Sequence, residues 1–146
     1  MQNCCNIWEV FDEENNLIKE YQHWKLLIKN RGPRTLGNSV AVLKRHILRF
    51  SDITDEEMLD FAKLVRETEN ALKKSFNYDK IHWLMYMTKD PHVHFHIFPR
   101  YNEDKNFGGI QWMDGLREPD PLKMEQKNLS QEQLNEIKEE IKKNFF

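Results

Sequence analysis

Cysteine is nearly missing from this chain. Its 146 residues hold two, Cys4 and Cys5, side by side. Sequence neighbours rarely pair with each other, and two thiols give no disulfide framework. A reducing, cytosolic setting fits this usage; an exposed metal or redox role for the pair is the alternative. Glycine and proline number five each, too few for a collagen-like or linker-type tract. Neither sign of charge prevails: 22 Lys and Arg stand against 24 Asp and Glu. That balance leaves no basic footprint, so no nucleic-acid partner is expected. No apolar run approaches the roughly 20 residues that span a membrane. The first six residues lack the basic and apolar regions of a secretory signal. An apolar content of 39% can still bury one core, so a single cytosolic globular domain is expected.

Residues 7–11 and 17–21 flank Asp12-Glu13-Glu14-Asn15-Asn16, a cluster of turn formers. They read as a hairpin, or as a short helix followed by a strand. Residues 24–28 and 39–43 are compact apolar runs and read as strands. Between them, Asn30-Arg31-Gly32-Pro33-Arg34 breaks the chain. The clearest helix runs from Asp55 to Phe76. Thr54 is its N-cap, Glu57 completes a capping box, and Met58, Phe61, Val65, Leu72 and Phe76 recur on one face. Residues 81–87 read as the next strand. Residues 106–117 contain Gly108, Gly109 and Gly115 and read as loop. Ser130 and Gln133 form a second capping box, opening a helix to about Asn144 with Leu134, Ile137 and Ile141 as a thin stripe, either on the surface or facing a partner. The order of elements implies an α+β fold, a mostly antiparallel sheet packed on one long helix with a helix added at the C-terminus. Residues 1–115 are read as one domain and 116–146 as its extension, bearing a surface helix.

The strand at 81–87 is apolar at nearly every position, so both of its faces need cover. One helix covers one face. A second subunit on a two-fold axis is the expected partner for the other.

The most informative stretch is His92-Val93-His94-Phe95-His96-Ile97-Phe98. Three of the six histidines alternate here with strand-forming apolar residues. On a strand, the imidazoles would share one face, roughly 6–7 Å apart. Four readings follow. The row could be the polar face of a half-buried strand. It could ligate a metal, with His46 as fourth ligand and Asp90 or Glu103 as helper, serving a metal-dependent hydrolase. It could provide an imidazole nucleophile with neighbours that orient it and assist the leaving group. Or it could form a non-catalytic nucleotide-binding module. His23 and His82 are read as ordinary histidines. Trp24, Trp83 and Phe50 are read as core, with one of them a possible wall for a base. Trp112 and Asp114 would either cap the site or pack the tail.

The seven residues 92–98 resemble the signature of the histidine triad (HIT) family, and Pro99-Arg100 extends the match. Leu43-Lys44-Arg45-His46 is similar to the family's strand end with its basic pair and histidine. The long helix and the loop Asn30-Arg31-Gly32-Pro33 also stand where the family has them. The likeness covers roughly residues 17–101 and is greatest to bacterial-type members. It implies a HIT-like α+β fold, a homodimer, a small-molecule nucleotide substrate and no cofactor or metal. The implied chemistry is hydrolysis or transfer at the α-phosphorus through a nucleotidyl-histidine, with phosphoramidates or dinucleoside polyphosphates as substrates. The resemblance assigns His94 as nucleophile and His96 to the phosphate and bridging oxygen. It assigns His92 to orienting the nucleophile through its carbonyl, His46 to support, and Asn30 to the ribose. In place of the family's Gly-Gln-Ser-type loop this chain has the shorter Met87-Thr88-Lys89-Asp90-Pro91, where Thr88 and Lys89 would contact phosphate.

Overall fold

A computed structural model of the chain describes residues 5–145, so Cys4 and most of the stretch weighed as a signal lie outside the described residues. Two short helices, α1 (Ile7–Val10) and α2 (Glu13–Asn16), lead into strand β1 (Leu17–Glu20). The alternative of a short helix followed by a strand therefore holds over the hairpin. Strands β2 (Trp24–Ile28) and β3 (Ser39–Leu43) follow, then the long helix α3 (Asp55–Phe76), β4 (Lys80–Leu84) and β5 (His94–Arg100). These five strands form one antiparallel sheet in the order β1-β2-β3-β5-β4.

The start of α3 follows from its sequence. The Thr54 hydroxyl accepts from the Glu57 amide at 3.1 Å, and the Glu57 carboxylate accepts from the Thr54 amide at 2.9 Å. Two of the donors that a helix start leaves orphaned are thereby satisfied. The buried face differs in part from the periodic reading. Leu64, Thr68, Ala71, Leu72 and Phe76 are buried, whereas Met58 is exposed.

Cross-strand register fixes what each face of the sheet carries. Ala41 lies opposite Phe95 and Trp83 opposite Ile97, on the side covered by α3. Val42 lies opposite His94 and Val40 opposite His96, on the other side. There Ile7 and Phe11 pack with Leu27, Val40 and Val42 in a second, smaller apolar cluster. The central strand β3 is buried along its whole length, as cover on both faces requires.

Three further boundaries shift. The strand read at 81–87 ends at Leu84, and β5 begins at His94, so His92 sits on a bend just before the strand. The stretch 106–117, read as loop, contributes to a hairpin of β6 (Lys105–Phe107) and β7 (Ile110–Trp112). Gly108 and Gly109 turn it with φ of 57° and 79°, values that glycine adopts without a Cβ penalty.

The tail then returns across the sheet. Helix α4 (Gln131–Lys142) carries the expected capping box at Ser130. Its Leu134, Ile137 and Ile141 are buried in the same cluster as the sheet and α3. Trp112 joins that cluster. Asp114 forms a buried two-pronged ion pair with Arg100 at 3.0 and 2.9 Å, and also accepts from the Tyr101 and Leu116 amides. Neither residue reaches the histidines as a cap. Among the described residues no helix is long and apolar enough to cross a membrane.

Candidate active site

The histidine face of β5 opens into a cleft of about 390 Å³. His94 and His96 form part of its wall, with ring centroids 5.0 Å apart in an edge-to-face arrangement. Phe11 lies across both rings, at 5.7 Å from His94 and 6.2 Å from His96. The turn that presents Phe11 is held by Asn16, whose buried amide donates to the Phe11 and Asp12 carbonyls.

Hydrogen bonding fixes the tautomers. His94 Nδ1 lies 2.6 Å from the His92 carbonyl oxygen. A carbonyl only accepts, so Nδ1 carries the proton and Nε2 keeps its lone pair. His92 Nε2 likewise donates to the Leu43 carbonyl at 2.6 Å, which leaves its own Nδ1 free. That nitrogen stands 3.1 Å from His46 Nδ1 and 3.3 Å from Cys5 Sγ, and Cys5 Sγ is 3.4 Å from His46 Nδ1. Ligands around a tetrahedral zinc, at about 2.0–2.3 Å from the ion, are separated by roughly 3.3–3.8 Å. Two sides of the triangle formed by Cys5, His46 and His92 fall at the lower end of that range and the third, at 3.1 Å, just below it; the triangle is the one such group among the described residues. The donor set weighed from the sequence was different, since it used the whole row. Here only His92 of the row takes part, and His94 and His96 stay out of it.

Burial sets the protonation of the row. It is the main cause that lowers His92, with the neighbouring His46 and His94 adding to it and the bond to Leu43 opposing. Burial, reinforced by His94, Lys29 and Arg34, pulls the His96 imidazole down to about 4. His96 is therefore neutral at physiological pH.

The other sequence candidates are only partly brought together. Lys89 lines the cleft; Thr88 is exposed and does not. Asn30 does not line the cleft, although its chain neighbours Lys29 and Arg31 do. Its Nδ2 donates to the Val10 carbonyl at 3.1 Å, while its Oδ1 is buried with no hydrogen-bond partner among the described residues. Trp24, Trp83 and Phe50 all pack in the core cluster on the α3 side, away from the cleft.

Val10, Phe11, Lys29, Tyr86 and Gln126 line the cleft and escaped the sequence reading, and Cys5 was weighed only as half of an exposed pair with Cys4, without its histidine partners. Gln126 reaches the cleft because the tail straps the loop of residues 30–34. The Lys127 amide donates to the Pro33 carbonyl at 2.8 Å, and Arg34 donates to the Met124 carbonyl at 2.6 Å. Gly32, with φ of 60°, leaves the room: a Cβ there would come within 2.9 Å of the Gln126 side chain. The only signal in the sequence was the glycine itself.

The HIT domain model matches residues 14–103. A HIT-like protein of Methanocaldococcus jannaschii is 35% identical over 89 residues, which span 56% of this chain and 69% of that protein. The adenosine 5′-monophosphoramidase of Schizosaccharomyces pombe is 26% identical over 92 residues, spanning 62% of this chain and 68% of that protein. Among solved structures, a histidine triad protein from Marinobacter aquaeolei superposes with a TM-score of 0.69 at 16% identity, covering 96% of this chain and 95% of that one. The family match takes in the whole stretch from α2 through β5 that places the three histidines, and the chain belongs to the HIT domain family.

Proposed function

We propose that this chain is a nucleotide hydrolase or nucleotidyl transferase that works through a covalent nucleotidyl group on His94. The observation that carries the reading is the 2.6 Å bond from His94 Nδ1 to the His92 carbonyl, which leaves the Nε2 lone pair free at the cleft wall. Nε2 attacks the α-phosphorus, and the bond from phosphorus to the leaving group breaks with its electron pair going to the leaving group. Water then adds to phosphorus, the P–N bond breaks, Nε2 recovers its lone pair, and the water's proton passes to solvent. A hydroxyl acceptor in place of water makes the same cycle a transfer. The cycle needs no cofactor. His96, neutral and adjacent, can hydrogen-bond the bridging oxygen, and Phe11 and Val10 supply an apolar wall for the nucleoside. Lys89 faces the phosphates.

The test is capture of the intermediate. Mixing with a nucleoside phosphoramidate or dinucleoside polyphosphate, quenching in alkali and mapping by mass spectrometry should place one nucleotidyl group on His94. Tight nucleotide binding with no adduct and no turnover would favour a binding module instead. Turnover lost on chelation without an adduct would favour a metal-dependent hydrolase.

A second reading concerns the triangle of Cys5, His46 and His92, whose spacing is close to that around a zinc ion. An ion there would hold the His92 backbone, and through its carbonyl the orientation of His94. Its role would be structural, because the set contains neither ring of the cleft wall. We also read the assembly as a homodimer. Strand β4 is an edge strand, paired only with β5 among the described residues, and residues 81–84 are all half-buried in the single chain.

A further inference from the structure

One residue of the cleft wall comes from outside the stretch matched to the family. That match ends at residue 103, whereas Gln126 belongs to the tail. The tail is clamped on both sides of it, by the bond from Arg34 to the Met124 carbonyl and the bond from the Lys127 amide to the Pro33 carbonyl. Between these bonds the Gln126 side chain lies on Gly32. A Cβ built on Gly32 would stand 2.9 Å from Gln126 Cδ and 3.2 Å from both Nε2 and Oε1. A point equally far from the nitrogen and the oxygen, and slightly nearer the carbon between them, lies above the amide plane. The amide therefore rests face-on against the glycine, and its edge, a donor beside an acceptor, stays free. The side chain is exposed and has no hydrogen-bond partner among the described residues.

Strand register tells how far this edge lies from the reacting ring. On the histidine face of the sheet, Lys25, Val42 and His94 make one row, and Leu27, Val40 and His96 the next. Lys29, whose amide donates to the Asn38 carbonyl, begins the third, and the loop with Gly32 follows it. Two steps along one face of a strand amount to roughly 13 Å. That is the order of the span from the α-phosphorus of a nucleotide to the far edge of its base. A continuous set of contacts joins the two ends. Phe11 lies across His94 and His96; the Lys29 ammonium stands 5.8 Å from the Phe11 ring centroid and donates to the Arg31 carbonyl; Gly32 and Gln126 come next.

Resting on the reading of this cleft as a nucleotide site, we propose that Gln126 is a specificity-determining residue whose amide hydrogen-bonds the edge of the substrate's nucleobase. The C-terminal extension thus sets the choice of base for a cleft whose histidines belong to the family domain. An amide pairs with two adjacent groups of a base at once, as glutamine does with the amino group and a ring nitrogen of adenine. Guanine also offers a donor beside an acceptor, in the reverse order. An unsubstituted purine has no group at carbon 6 and offers only half of either pair. The amide moves no proton and touches no reacting atom, so its contribution is to binding.

The test is calorimetric binding of AMP, GMP and purine riboside 5′-monophosphate to wild type, Gln126→Ala, Gln126→Glu and, as a control elsewhere on the same tail, Gln111→Ala. All three ligands are product-like monophosphates, so the readout does not depend on turnover. We expect wild type to bind the better of AMP and GMP at least about fivefold tighter than the unsubstituted purine nucleotide. Gln126→Ala should bring all three within about twofold by weakening the better ligand. Gln126→Glu presents acceptors only, and guanine carries two adjacent donors, N1–H and N2–H; the ratio of the two affinities should move toward GMP by about fivefold or more. Gln111→Ala should behave as wild type. Equal binding of all three ligands by wild type, or a preference that survives Gln126→Ala, would overturn the proposal and leave the cleft a nucleotide site. Failure of all three to bind wild type would overturn the nucleotide reading, and this proposal with it.

Discussion

The Nδ1 of His94 and the main-chain oxygen of His92 are 2.6 Å apart, two residues along the chain, so the backbone itself fixes which nitrogen of His94 can react. The two side chains should therefore differ in how much they matter. Replacing His94 with Asn removes the nucleophile and should cost several orders of magnitude in kcat, with nucleotide binding kept. Replacing His92 with Gln leaves the carbonyl in place and disturbs only its support, so a loss of roughly 10–100-fold is expected, as for other orienting groups. Steady-state rates on the two variants check this; equal losses would mean that the His92 ring itself takes part in the reaction.

The buried pair of Arg100 and Asp114, 1% and 2% exposed, ties the end of β5 to the segment after the hairpin. Replacing Asp114 with Ala leaves Arg100 charged and buried without a partner, and also frees the Tyr101 and Leu116 amides. Breaking such a pair typically costs about 3–5 kcal/mol. Urea denaturation of Asp114→Ala should show that loss, and a change below about 1 kcal/mol would mean that water replaces the carboxylate.

Acid should weaken the fold through His96. An unfolded histidine titrates near 6.5, and burial brings His96 to about 4 in the folded chain. Between those values the unfolded chain binds more protons than the folded one. Stability from this group is therefore complete above the unfolded value and is lost as pH falls toward 4, by at most about 1.4 kcal/mol per pH unit. His92 is shifted in the same direction and adds to the effect. Thermal melting between pH 7 and 5 should show a steeper decline for wild type than for His96→Gln; parallel curves would place the acid sensitivity elsewhere.

The triangle of Cys5, His46 and His92 gives a separate test. Elemental analysis of protein prepared with zinc should find metal that Cys5→Ser and His46→Ala reduce and that His96→Ala does not. Metal lost equally in His96→Ala would return the histidine row to the role of ligand set. Thiols and imidazoles must be deprotonated to bind, so occupancy should also fall in acid.

Much of this was legible in the sequence because the signals were local. The two capping boxes, at Thr54 and Ser130, declare themselves by residue type three positions apart, and both close as expected. The alternation at 92–98 reports its own strand, apart from His92 and Val93, which the bend after Pro91 leaves outside. What stayed hidden was brought in by distance along the chain. Cys5 meets residues 41 and 87 positions away, and its neighbour in sequence offered only a weak hint of metal. Gln126 reaches the cleft through backbone bonds to the loop of residues 30–34, which no side-chain pattern encodes. The hairpin at 105–112 was misread because its strands are three residues each, shorter than any periodicity can register. On α3 the buried face runs through Glu57, Leu64 and Thr68, while Met58 and Leu59 in the first turns are exposed.

The remaining prediction concerns assembly. Strand β4 closes one edge of the sheet, with no neighbour beyond it among the described residues. An exposed edge presents unpaired N–H and C=O groups and invites pairing unless charge, proline or a bulge protects it. Here the edge reads Lys80-Ile81-His82-Trp83-Leu84, with charge only at its first residue. The tail cannot serve as cover, because α4 packs on β1, β2, α2 and α3 at the opposite side of the sheet. Two copies related by a two-fold axis can pair β4 with β4 antiparallel, joining two five-stranded sheets into one and bringing Trp83 and Leu84 out of water. Sedimentation at micromolar concentration should therefore give a species of twice 17.7 kDa. A single species at 17.7 kDa would leave β4 a bare edge and sink the dimer. A dimer that persists when Trp83 and Leu84 are both changed to Lys would show that the contact lies elsewhere.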